Sequence, residues 1–182
     1  MRIYTDEAQY DLGPCAIALG TFDGVHIGHQ TLIHRAMELA RELNAASVVY
    51  TFDRHPMSVL CPERAPRELL TLEEKLKKLE LLGVDAVLVK PFTVEFAAIE
   101  PVKYLEMLAR EMRAKAVVAG FNYTFGAMGR GDAALICSEA ARLGYRAEIV
   151  DAVTDGGDTV SSTLIRALQD RGEIARAERL MR

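Results

Sequence analysis

The chain has 182 residues, 50% of them apolar and 26% charged, with a net charge of −4, the profile of one globular domain able to bury a sizeable core. The acidic balance excludes general nucleic-acid binding, no apolar run is long enough to span a bilayer, and the N-terminus has no signal-peptide core. Cys15, Cys61 and Cys137 lie far apart without metal-ligand spacing, so they read as reduced thiols of a soluble cytoplasmic protein.

The first predicted element is a buried strand at Ala16–Leu19, followed by the Gly-rich turn Gly20-Thr21-Phe22-Asp23-Gly24 and a helix marked by Leu32, Ala36, Leu39 and Leu43. Ser47–Phe52 predicts a second strand, ending in Thr51-Phe52-Asp53-Arg54-His55-Pro56. Thr71 and Glu74 form a capping box for a helix with Leu72, Leu76 and Leu79 on one face, stopped by Gly83. Val84–Val89 is the third strand. A loop from Pro91 to Pro101 carries Phe92 and Phe96 and leads to a helix with Leu105, Leu108 and Met112.

Ala116–Ala119 is the fourth strand, ending in Gly120-Phe121-Asn122-Tyr123-Thr124-Phe125-Gly126. A helix with Ile136, Ala140 and Leu143 ends at Gly144, and Arg146–Val150 is the fifth strand. Gly156-Gly157 makes a hairpin-like turn before Ser161-Ser162-Thr163, which caps a helix with Ile165, Arg166 and Leu168; a short helix over Glu173–Met181 closes the chain. Strands alternating with helices predict an α/β, Rossmann-like fold, a mostly parallel open sheet with helices on both faces. A single domain is expected over 1–182, with a small lobe within about 54–112 as an option.

The strand-turn-helix junction at Gly20–His29 aims free backbone N–H groups and a helix dipole at one point, which suits a phosphate. His26 and His29 share a face of the first turn, and Gly28 between them leaves room for a flat ring or ribose. The spacing matches neither a P-loop nor a dinucleotide fingerprint. The His-x-Gly-His tetrapeptide resembles the signature of the nucleotidylyltransferase superfamily.

Four motifs in order, Gly20 to His29, Thr51 to Pro56, Gly120 to Gly126, and Ser161-Ser162-Thr163-x-x-Arg166, closely resemble the FAD synthetase module of prokaryotic bifunctional riboflavin kinase/FAD synthetases. The resemblance implies FMN adenylylation: FMN and ATP give FAD and pyrophosphate, with Mg²⁺. It assigns His26, His29, Ser162, Thr163 and Arg166 to the chemistry on the ATP phosphates. Gly20, Thr21, Phe22, Asp23, Gly24, Gly28 and Ser161 go to ATP binding. Asn122, Tyr123, Phe125, Asp53, His55 and Arg130 go to the flavin. The ligands of Mg²⁺ are not specified beyond the ATP phosphates and Asn122 as a candidate.

Each group also has a plainer reading from the residues alone: a helix cap and half-buried imidazole for the histidines, a capped helix with a surface arginine for Ser161–Arg166, and loop-to-core anchors for Tyr123 and Phe125. Phe92 and Phe96 are either core or near the flavin. The chain departs from the family at Arg54, where proline is usual, and ends at Met181-Arg182, where the family continues into a riboflavin kinase domain. Riboflavin phosphorylation is therefore not expected, and a separate riboflavin kinase is a candidate supplier of FMN. No membrane partner is expected. The alternatives are another His-x-Gly-His nucleotidylyltransferase, or a flavin-binding module without catalysis.

Overall fold

The structure, a computed structural model, describes all residues 1–182. In chain order the strands are β1 (Arg2–Tyr4), β2 (Cys15–Leu19), β3 (Ala46–Phe52), β4 (Ala86–Lys90), β5 (Ala114–Gly120), β6 (Arg146–Val150), β7 (Thr154–Asp155) and β8 (Asp158–Thr159). The helices are α1 (Ile27–Glu42), α2 (Met57–Leu60), α3 (Leu72–Leu82), α4 (Val94–Ala97), α5 (Pro101–Arg110), α6 (Ala133–Leu143), α7 (Ser162–Asp170) and α8 (Ile174–Leu180).

Six strands form one parallel sheet in the order β1-β4-β3-β2-β5-β6, with β7 and β8 as a separate hairpin. Parallel strands buried on both sides read as continuous apolar runs, and every residue of β2 is buried. One face packs Leu105, Leu108 and Met112 near α5 and Ile136 of α6. The other packs Leu32, Ile33, Ala36 and Leu39 of α1 and Leu79 of α3. A smaller cluster of Val160, Ile165, Leu168, Ala177 and Leu180 joins α7 to α8.

From β2 the chain winds outward through β3 and β4, then crosses back to place β5 and β6 on the other side of β2. The order reverses between β2 and β5, and ligands of such sheets bind in the crevice outside the carboxyl ends at that point. The loops after β2 and β5 are Gly20–His26 and Phe121–Asp132, so the two motif-bearing turns flank the crevice.

Most predicted elements are present with ends shifted by one or two residues. β1 is an addition: three residues that become a strand only by pairing with β4 at the sheet edge. The loop from Pro91 to Pro101 contains the short α4. Segment 54–112, the candidate for a small lobe, contributes to the main sheet and to both cores. It supplies β4 to the sheet and buries Leu79 in one core and Leu105 and Leu108 in the other.

Candidate active site

The chain leaves β2 through a turn under backbone strain. Phe22 and Val25 have φ of 51° and 43° and Gly24 of 90°, left-handed values costly for side chains other than glycine. The turn is held because Phe22 and Val25 are both fully buried. Gly20 is needed by the protein's own packing: a Cβ there would sit 3.0 Å from the Phe22 ring.

His26 caps α1, its Nδ1 accepting the His29 backbone N–H at 3.3 Å, which satisfies one free donor of the first turn. The two imidazoles stack with centroids 3.6 Å apart and planes 17° from parallel, and His29 meets Phe22 edge-on at 5.2 Å. Burial pushes the His26 pKa down to about 4. It drives His29 well below the usual histidine value, helped by the charges of His26 and Lys75. Two stacked rings cannot both hold a proton without strong repulsion, so the pair is neutral at neutral pH. Because His26 Nδ1 is an acceptor, its proton resides on Nε2, which is left as a donor. The His29 Nδ1 is buried with no partner.

Gly28 lines the cleft and is also closely approached by the protein itself. A Cβ at Gly28 would lie 3.3 Å from the His26 ring and 3.7 Å from the Val160 carbonyl oxygen. The glycine admits the imidazole and brings the starts of α1 and α7 together.

At α7, Ser161 Oγ accepts the Leu164 N–H at 3.1 Å, a helix cap as its plainer reading had it. Ser162 Oγ donates to the Asp23 carbonyl at 2.7 Å, and Arg166 pairs with the Asp23 carboxylate while Nε donates to the Arg67 carbonyl at 2.6 Å. Asp23 also accepts the Leu69 N–H at 2.9 Å, so one buried carboxylate ties together the turn after β2, residues 67–69 and α7. Gly24 faces Leu69, whose Cδ1 would be 2.9 Å from an added Cβ.

His26, His29, Ser161, Ser162, Thr163 and Arg166 line a single cleft of about 990 Å³, together with Gly20, Thr21, Phe22, Asp23 and Gly28. Asn122, Tyr123, Phe125 and His55 line the same cleft, so the aromatic loop shares it with the imidazole pair and the Ser161–Arg166 group. Phe52, Phe92, Phe96, Tyr104 and Phe125 form a chain of mostly edge-on rings with centroids 5.0–6.0 Å apart, and Tyr123 stacks on Phe125 at 5.7 Å. Phe92 and Phe96 are thus core and cleft wall at once. Burial raises the Tyr123 pKa to about 12, which keeps its hydroxyl protonated.

Two expected flavin contacts fall outside the cleft. Asp53 accepts the Phe92 N–H at 2.9 Å and pairs with Arg54; its carboxylate clamps the end of β3 to the segment after β4. Arg130 is exposed and folds back, Nε donating to the Ala127 carbonyl at 3.2 Å. His55 remains at the cleft, its Nδ1 accepting the Met57 N–H at 3.2 Å.

Lys75 lies beside the site although no motif marks it in the sequence. It is buried on α3, donating to the carbonyls of Phe52 and Thr21 at 3.0 and 3.2 Å and to Thr51 Oγ1 at 3.4 Å. Its position, three residues after Leu72 and four before Leu79, puts it on the apolar stripe of that helix. A lysine on that stripe was the available signal.

An open parallel sheet with paired imidazoles and a Ser-Thr-Arg group across its switch point defines a nucleotidyltransferase-like α/β protein. A FAD synthetase family profile matches residues 8–164, and the chain belongs to that family. A bifunctional riboflavin kinase/FMN adenylyltransferase of Listeria monocytogenes is 37% identical over 91% of this chain and 52% of its own length. A Geobacillus thermodenitrificans protein, provisionally named for the same pair of activities, is 34% identical over 95% of this chain and 92% of its own. The chain spans about half the length of most of the curated relatives it matches.

Among solved structures, a Streptococcus pneumoniae protein described as a macrolide-efflux protein superposes with a TM-score of 0.83 at 28% identity, covering 99% of this chain and 60% of that one. A pantoate-beta-alanine ligase of Francisella tularensis shares the fold, with a TM-score of 0.58 at 16% identity over 97% of this chain and 79% of that one. No helix here is long and apolar enough to cross a membrane.

Proposed function

We propose that the chain is an FMN adenylyltransferase, joining the adenylyl group of ATP to the phosphate of FMN to give FAD and pyrophosphate. The observation that carries this reading is one shared cleft: His26, His29, Ser162, Thr163 and Arg166 face it together with Asn122 and the ring wall of Tyr123, Phe125 and Phe92. The first group suits a triphosphate tail. The second suits a flat tricyclic ring with a polar edge.

An FMN phosphate oxygen attacks the α-phosphorus of ATP as the bond to the β-phosphate oxygen breaks, and pyrophosphate leaves on the opposite side. The step needs no protein nucleophile. Its barrier falls through alignment of two anions and stabilisation of the charge that builds on the transferring group. The neutral imidazoles supply N–H donors there without the cost of a buried cation. Arg166 supplies a full positive charge at the leaving pyrophosphate, and Ser161 and Thr163 open the helix whose N-terminus faces it.

No group of three or more His, Cys, Asp or Glu residues gathers to hold a metal, and Asp23 and Asp53 are committed to internal partners. Asn122 is among the exposed oxygen donors of the cleft, with Thr124, Asp151, Thr159 and Thr163. That donor set fits Mg²⁺ carried mainly by phosphate oxygens, with Asn122 as its protein contact. When bound, the ion neutralises phosphate charge. The three free thiols accord with a reducing compartment, and we assign the chain to the cytoplasm, with FMN drawn from a riboflavin kinase.

The test is to incubate the purified chain with FMN, ATP and Mg²⁺ and separate flavins by chromatography, with riboflavin in place of FMN as control. FAD from FMN alone is the expected result. FMN binding without turnover would favour a non-catalytic module.

A further inference from the structure

Lys75 is a buried ammonium with no carboxylate partner. Its Nζ contacts are neutral oxygens, the carbonyls of Phe52 and Thr21 at 3.0 and 3.2 Å and Thr51 Oγ1 at 3.4 Å. Asp23, Asp53 and Glu68 are near enough to oppose the lowering of its pKa by burial. Asp23 and Asp53, however, are taken up by Leu69, Arg166, Phe92 and Arg54. A lysine ammonium is strongly hydrated, so burying it without a carboxylate in direct contact is unfavourable unless its position serves another end.

That position is the carboxyl edge of the sheet. The Thr21 carbonyl receives both Lys75 and the Thr51 hydroxyl, the latter at 2.9 Å. The next residue, Phe22, takes its left-handed φ of 51° and presses its ring edge-on against His29. Lys75 therefore fixes the root of the strained turn, and through Phe22 the imidazole pair. His29 also feels the Lys75 charge.

We propose that Lys75 is a positioning residue for adenylyl transfer: its ammonium anchors the Thr21 carbonyl so that the turn presents His29 to the triphosphate, and it adds an unpaired positive charge beneath the phosphates. This rests on the adenylyltransferase reading above. Lys75 makes the site ready for a transition state without touching substrate.

The experiment compares the parent with Lys75→Met, Lys75→Arg and Thr51→Val, measuring kcat and KM for ATP and FMN, with circular dichroism to show folding. Parent protein that makes no FAD would sink the adenylyltransferase reading itself and this inference with it. With an active parent, Lys75→Met is expected to lose about 10- to 100-fold in kcat at saturating substrates, with KM for FMN within twofold. Lys75→Arg, which keeps charge and donors, should recover most of that loss. Thr51→Val, nearly isosteric, should lower kcat about threefold or more by loosening the same carbonyl. Folded Lys75→Met with kcat within twofold of the parent, or with its loss confined to FMN affinity, would overturn the proposal. If Lys75→Met does not fold, an unchanged kcat in Thr51→Val overturns it.

Discussion

Asp23 and Arg166, 143 positions apart in the chain, form an ion pair at the cleft, and the same guanidinium donates to the Arg67 carbonyl at 2.6 Å. In the proposed reaction, the cation assigned to the leaving pyrophosphate is held by a carboxylate until an anion competes for it. Because Asp23 also holds Leu69 and its carbonyl holds Ser162, triphosphate binding and the set of the strained turn are physically linked.

Arg166→Ala should lower kcat/KM for ATP by about 10²- to 10³-fold while leaving FMN binding nearly unchanged. It also strands Asp23, whose side chain is 9% exposed, so urea denaturation should show a loss of roughly 3 kcal/mol. Arg166→Lys should recover little activity, because one ammonium cannot reproduce a fork that serves Asp23 and Arg67 together. Steady-state kinetics with a near-parental lysine variant would contradict this geometry.

Gly28→Ala should act on chemistry more than on folding. The added Cβ would stand 3.3 Å from the His26 ring, which is stacked 3.6 Å from His29, so the ring must shift within the stack. We expect kcat to fall about tenfold or more, as small misplacements of transition-state donors commonly do, with the thermal midpoint lowered by a few degrees. Parental kcat would show that the stack is not part of the reacting arrangement.

Stability should fall as the medium is acidified. His26 titrates near pH 4 when folded and at about 6.5 when unfolded, and His29 is displaced the same way. Between these values the unfolded chain binds protons the folded one does not, so unfolding becomes easier as pH drops from 6.5 towards 4. Urea midpoints across that window should decline, and His26→Asn, which keeps a capping side chain, should flatten the decline. An equal slope in parent and variant would assign the effect elsewhere.

Asn122→Ala should weaken FMN by about tenfold, the order expected for one or two lost hydrogen bonds, and change ATP affinity less. Isothermal titration reads both. A larger effect on ATP would remove Asn122 from the flavin and leave it to the Mg²⁺-phosphate side of the cleft alone.

The local chemistry of the fold was legible in the chain. The junction Gly20–His29, the capping box at Thr71 and Glu74, and the strand Arg146–Val150 are built as their residues indicate. Features set by distant contacts were not. Arg2–Tyr4 becomes a strand only against β4. Asp53 looks like a ligand from its motif, yet its carboxylate is spent on the Phe92 N–H, and Arg130 is exposed and bonds back to Ala127. The union of His26, His29 and Arg166 in one cleft follows from the crossover that sets β5 beside β2, which sequence order alone leaves open.

The most direct measurement follows FAD and pyrophosphate together, for the parent and for His29→Ala, from FMN, ATP and Mg²⁺. The expected result is equal molar yields of both products from the parent and a rate about 10²- to 10³-fold lower in the variant, with FMN affinity preserved. No FAD from folded parent protein, or equal rates in parent and variant, would contradict the account.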